Sequence, residues 1–229
     1  MPKTFLQLGQ QLVEDAGISG TLTSMVSQSG EFLRVVNWIK RAVTEIEGKW
    51  LNWDFLHEFH TFNTVVGVRD YPAPSNFNLW DTSTAKILAE AMPLPYMQWT
   101  RRKLDITEAV AGAPYEFTVL PDKSIRLYDT PTAIVTIDIE YWRIPTVLTA
   151  NTDEPSIPEQ FRDIIVSKAL QFYANYESAE EVKVQAVEIF KERMLQLQSH
   201  SAPGQQAKDS ITTGADIVVS TPNQFDDYY

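Results

Sequence analysis

The sequence predicts an α+β fold: a small antiparallel helical bundle with an inserted antiparallel β lobe and an extended C-terminal arm. Three observations carry that expectation. Helical periodicity is strong near the start of the chain and returns over residues 156–199. Between the two, short β-rich runs alternate with Pro, Gly, Asn and Asp. After Ser199 the chain turns polar and carries neither pattern through. The expected boundaries are a helical bundle domain from 1–52 and 156–200, a β-rich insert over 53–155, and an arm over 201–229.

The first element spans Thr4 to Ala16. Thr4 and Gln7 have capping-box spacing, Phe5, Leu8, Leu12 and Ala16 form a stripe, and Gly17 supplies a stop. A loop rich in Gly, Ser and Thr, ISGTLTSMVSQSG, leads to a second helix at about 30–50. There Phe32, Val35, Val36, Ile39, Val43, Ile46 and Trp50 recur at three- and four-residue steps. Glu31, Arg34, Lys40, Arg41, Glu45 and Glu47 are assigned to the outer face.

In the insert the clearest strand is IVTIDIEYWR, residues 134–143. Val135, Ile137, Ile139 and Tyr141 share one face; Thr136, Asp138 and Glu140 share the other, expected to be solvated. YEFTVLPDKSIRLYD reads as a hairpin turning at Pro121-Asp122-Lys123. HEFHTFNTVVGVRDYPAP and AKILAEAMPLPYMQWTRRKL read as further strands, and a short helix is expected at Asp105–Val110 with Asp105 as its cap.

Helices return at Ser156, where Ser156 and Glu159 have capping-box spacing and Pro158 falls in the first turn. Phe161, Ile164, Ile165, Ala169, Phe172, Tyr173 and Tyr176 line one face. A break is expected at Asn175–Ser178. Ser178 and Glu181 suggest another box, opening a helix to about Ser199 with the stripe Val182, Ala186, Ile189, Phe190, Met194 and Leu197. So short a connection implies an αα-hairpin.

Composition narrows the chemistry. Of 229 residues, 44% are hydrophobic, enough for a core, and none is cysteine, which excludes disulfides, zinc–thiolate sites and thiol nucleophiles. No apolar run approaches the roughly 20 residues of a membrane helix. The segment MPKTFLQLGQQLVEDAG lacks the continuous apolar stretch of a signal peptide. A net charge of −11 argues against a tight grip on nucleic-acid phosphate, which needs clustered Lys and Arg. The one dense basic cluster, Arg101-Arg102-Lys103, reads as a solvated strand end.

The nearest approach to a metal or catalytic motif is His57-Glu58-Phe59-His60. HExxH needs its histidines four apart on a helix; here they are three apart in a predicted strand, which sends them to opposite faces. Asp138 and Glu140 on a solvated face would lack the shifted pKa that acid–base work needs. No phosphate-binding glycine loop or nucleophile elbow is present. The expectation is a protein that is not an enzyme, with no catalytic residue, metal or cofactor. Trp50, Trp53 and Phe55 are expected to pack where bundle meets insert. Trp80, Trp99 and Trp142 lie in the insert, where any exposed aromatic would suggest protein–protein contact.

The tail, SAPGQQAKDSITTGADIVVSTPNQFDDYY, allows two readings. It is either an inert solubilising segment or a binding arm. Ile211, Ile217, Val218, Val219, Phe225, Tyr228 and Tyr229 are spaced apolar anchors in polar surroundings. The β-branched triplet could add as a strand to a partner's sheet edge. Fully extended, such a tail reaches at most on the order of 95 Å, long enough to lie along a neighbouring molecule.

Four stretches together resemble the head-to-tail adaptor (connector, or head-completion) proteins of tailed bacteriophages. They are LVEDAGISGTLTSMVSQSGEFLRVVNWIKRAVTEIE, WLNWDFLHEFHTFNT, IPEQFRDIIVSKALQFYANYESAEEVKVQAVEIFKERMLQL and the extended tail. The resemblance implies a virion protein of the tail-neck region, assembled in the host cytoplasm, with no catalytic residues and no membrane. It implies a homo-oligomeric ring, usually of twelve copies, beneath the portal protein. Genomic DNA would pass through without specific binding, and the β portion would face a downstream tail or nozzle protein. Portal docking would fall on Ile211 to Tyr229. The alternative is another virion component, of the tail tube or host contact, working through its β lobe.

Overall fold

The computed structural model describes residues 3–102 and 110–201. They form a mixed helical and mainly antiparallel β structure, as the periodicities predict. Helix α1 spans Phe5–Asp15, α2 Gly30–Glu47, α3 Trp99–Arg102, α4 Asp163–Glu177 and α5 Glu180–His200. The strands are β1 His57–Asn63, β2 Asp70–Tyr71, β3 Phe77–Ile87, β4 Met92–Pro93, β5 Ala111–Gly112, β6 Glu116–Val119, β7 Ile125–Tyr128, β8 Thr130–Pro131 and β9 Thr136–Arg143.

The cap of α1 forms as the spacing predicts. The Thr4 hydroxyl accepts from the Gln7 backbone, and the Gln7 side chain accepts from the Thr4 backbone at 2.9 Å. Phe5, Leu8 and Leu12 are wholly buried. Gly9 sits on the same packed face, and the side chains of Met25 and Leu22 occupy the space a Cβ would need. Along α2, Val35, Val36, Ile39, Ala42, Val43 and Ile46 are buried, and Trp38 meets Tyr173 of α4 edge-on with ring centroids 5.9 Å apart. One outer-face assignment is corrected: Glu47 is 3% exposed. It lies one helical turn after Val43 and therefore on the buried side.

The second half of the chain starts later than expected. Residues Glu159–Phe161 make a single 3-10 turn, α4 begins at Asp163, and the Ser156–Glu159 capping box does not form. The Ser156 hydroxyl instead accepts from the Thr146 backbone N–H at 3.1 Å. The expected break at Asn175–Ser178 is also corrected. Helix α4 runs to Glu177, and Ser178 closes it in the left-handed conformation, φ 56°, so it cannot cap α5. Ile189, assigned to the buried stripe of α5, is exposed, whereas Ala186, Phe190, Met194 and Leu197 are buried.

One hydrophobic core unites α1, α2, α4 and α5 with Trp53, Leu56, Leu148 and Ile157. Arg162 ties it off. This 7% exposed guanidinium donates to the carbonyls of Ile157, Lys3 and Pro155 at 3.0–3.3 Å and pairs with Glu154 at 2.9 Å. Nearby, the Phe5 and Leu6 amides donate to the carbonyls of Asp153 and Asn151, so the start of α1 is fastened to the loop before α4.

A second core lies among the strands and contains Trp80, Phe117, Ile125, Leu127, Ile137, Ile139 and Tyr141. The main sheet has the order β1-β9-β3-β4, with all pairs antiparallel. β2, β7 and β6 form a second sheet, and β5 pairs with β8 in parallel. The β6–β7 hairpin turns where predicted, with Lys123 in the left-handed region at φ 74° and the Asp122 carboxylate accepting from the Ser124 backbone and hydroxyl. The sequence pattern assigns no strand to residues 77–84 of β3, because the polar run Asp81–Thr84 breaks its alternation; in the structure that run falls within a register shift. Arg101 and Arg102 lie in α3 and not on a strand end. Of the helix expected at Asp105–Val110, residues 105–109 lie outside the described residues, as does Lys103. Among the described residues no helix is long and apolar enough to cross a membrane.

Candidate functional site

The arm predicted to dock, with Ile211, Ile217, Val218, Val219, Phe225, Tyr228 and Tyr229, lies outside the described residues. The described part ends where that segment begins, with α5 closed by a hydrogen bond from the Ser201 amide to the Leu197 carbonyl. The features available for function are therefore a buried carboxyl beside a cavity, an apolar tip on the main sheet, and the histidine region of β1.

The cavity holds about 440 Å³ between the C-terminal half of α2 and residues 145–148. Val43, Pro145, Val147 and Leu148 supply apolar walls, and the Glu47 carboxyl reaches it from α2. Burial pushes the Glu47 pKa up to about 7, against the opposing pull of Arg143 and hydrogen bonds from Ser156. Its Oε1 is buried without a hydrogen bond. The same stretch of chain places the aromatics of the junction. Trp53 is wholly buried and its Nε1–H donates to the Glu47 carbonyl at 3.0 Å; Trp50 and Phe55 pack on it at 4.7 and 5.3 Å. Trp53 and Phe55 belong to the helical core, as expected, while Trp50 lies partly in solvent.

The tip is built by three turns at one end of the main sheet. The Thr64 amide donates to the Val135 carbonyl at 2.8 Å, Gly67 to Pro131 at 2.9 Å, and Leu88 to Thr136 at 2.9 Å. These bonds bring together Val65, Val66, Val68, Leu88 and Ile134, all exposed. Sequence reasoning missed this group. The signal was present as VVGV, but it lay in a stretch that reads as strand, and its partner Ile134 is distant in sequence at the expected start of another strand. The tryptophans considered for contact are not exposed: Trp80 is buried, and Trp99 and Trp142 are half-buried.

His57 and His60 take opposite faces of β1, as their spacing requires. His60 faces the strand core, 5.7 Å from Trp80 and 5.4 Å from Phe62, and burial lowers its pKa. His57 lies on the other face against Trp142 and Glu140. That face is not simply solvated. Asp138 is 8% exposed, accepts from the Thr61 hydroxyl at 2.8 Å and pairs with Lys86 at 3.3 Å; these two neighbours on the flanking strands close over it.

None of these groups forms a nucleophile–base pair with an orienting third residue. They comprise apolar groups exposed at one end of the main sheet and aromatics packed at the junction. No curated protein matches the chain. The SU10 adaptor protein family matches it over residues 4–216, which takes in both helical parts, the strands and Ile211. The chain therefore belongs to the SU10 adaptor protein family, a family of bacteriophage head-to-tail adaptors.

Proposed function

We propose that this structural adaptor acts as one subunit of a closed ring, of about twelve copies, that joins the portal protein to the tail and continues the DNA channel. The observation that carries this reading is the family match across both helical parts and the strands. The helical core and the strand core are the two lobes of the subunit, and residues 201–229 are the arm that docks on the portal through Ile211, the Ile217–Val219 triplet, Phe225 and the terminal tyrosines. A channel that passes DNA must not hold it. A charge of −11 per copy repels phosphate over about a Debye length, roughly 8–10 Å at physiological salt.

Deleting Ile211–Tyr229 is expected to abolish decoration of portal rings in negative-stain images while leaving the circular dichroism spectrum unchanged. Decoration equal to that of the full chain would sink the arm.

The apolar tip supports a contact with the downstream component. Exposed valines and an isoleucine clustered on β turns form a patch of the kind that marks protein–protein contact. If tail truncation were silent and tip substitutions abolished partner binding, the chain would instead work through its β lobe alone, as a tail-tube or host-contact component.

A further inference from the structure

We propose that the outer face of the main sheet carries a binding site for a divalent transition-metal cation of the zinc class, formed by His57 on β1, Glu140 on β9 and Asp81 on β3. The sequence hides this site. Its ligands come from three strands, so no local spacing announces it.

The backbone sets the constellation. Asp81 and Glu140 are direct cross-strand partners, and His57 sits two residue pairs along the neighbouring ladder, on the same face, where Phe59 opposes Glu140 and His57 opposes Trp142. Two carboxylates facing each other across a strand pair repel and favour a shared cation. One donor atom from each of the three residues lies within 4.8 Å of the others, and all three residues are half-buried.

The contact between His57 and Glu140 carries the argument further. His57 Nε2 stands 3.1 Å from Glu140 Oε2, yet this buried nitrogen makes no hydrogen bond. The atoms are close, but the nitrogen is not aimed at the oxygen as a donor. Two ligands of one metal adopt that relation: with bonds of about 2.0–2.2 Å, tetrahedral neighbours stand roughly 3.3 Å apart while both point at the ion. His57 and Glu140 already have this spacing. Asp81 lies within 4.8 Å of both and closes on the ion by a side-chain adjustment. Its carboxylate is held in place by the Ser83 amide and hydroxyl, which donate to Oδ1 at 3.1 and 2.6 Å.

The donor set selects the cation. One imidazole and two carboxylates suit zinc and its neighbours; calcium and magnesium prefer oxygen ligands alone. Three protein ligands on a half-open face leave a fourth position for water. The bound ion would staple β1, β9 and β3 close to where Trp142 packs on the helical core.

The test uses the full chain, with zinc chloride titrated by calorimetry at pH 7 and thermal unfolding followed with and without the metal. One equivalent should bind and raise Tm. Asp81→Asn, which keeps shape and leaves the sheet intact, should weaken binding at least tenfold and abolish the Tm rise. His57→Ala should do the same, and His60→Ala should leave both unchanged. Absence of saturable binding overturns the site, as does binding undiminished in Asp81→Asn. Calcium binding as tight as zinc would overturn the assigned metal class.

Discussion

Glu47 shows what one residue can do to the whole stability profile. Its carboxyl is buried among apolar neighbours, and its pKa rises from the ordinary 4.5 to about 7. The folded protein therefore holds that proton more tightly than the unfolded chain. The resulting stabilisation is complete below about pH 4.5 and is lost as the pH rises through 7. Glu47→Gln keeps the shape and cannot ionise. At pH 8 it should be more stable than wild type by on the order of 1–3 kcal/mol, and its urea midpoint should change less between pH 5 and 8. A variant no more stable than wild type at pH 8 would contradict this. Arg162 acts in the opposite sense, because its charge is satisfied. Truncation to Ala strands three carbonyls and Glu154, and should cost roughly 3–5 kcal/mol in urea unfolding. The burial of Glu47 was legible in principle, since it follows Val43 by four residues. Reading it as outward came from chemistry overriding helical phase. The role of Arg162 was not legible, because its partners Lys3 and Pro155 are brought to it only by the fold.

At the scale of elements, α1 depends on Gly9 lacking a side chain. Gly9→Ala gains about 1 kcal/mol in helix propensity but drives a methyl into Met25 and Leu22, an overpacking cost of typically 1–3 kcal/mol. Net destabilisation is expected, with Tm lowered. In the β6–β7 turn the balance reverses. Lys123 occupies a left-handed conformation, so Lys123→Gly should stabilise the protein by roughly 0.5–1 kcal/mol. Which elements could be read from sequence follows the same local logic. α1, α2, β9 and the hairpin carry uninterrupted periodicity or a clear turn. β3 does not, because Asp81–Thr84 abandons alternation to make the bulge that presents Asp81. The starts of α4 and α5 were misread because serine at a capping distance competes with serine in a turn, and tertiary partners decide between them: Thr146 for Ser156, and the left-handed closure for Ser178.

For the molecule as a whole, the sequence conveyed the class of fold and the order of its parts, since both follow from where one periodicity gives way to another. It did not convey the tip, whose members come from three separate turns. Val66→Lys together with Ile134→Lys should abolish association with the downstream tail component. Both side chains are already in solvent, so stability should stay within about 0.5 kcal/mol of wild type. A double variant that still associates would remove the tip from the interface.

The clasp that Arg162 makes with Lys3, and the amide bonds from Phe5 and Leu6 to the loop before α4, also set a timetable. The helices α1 and α2 leave the ribosome more than roughly a hundred residues ahead of α4, a wait of several seconds at about 5–20 residues per second. Through that interval the sides they turn toward α4 and α5 have no mate. Closure of the helical core is consequently an event of late or completed translation, waiting on the emergence of Arg162.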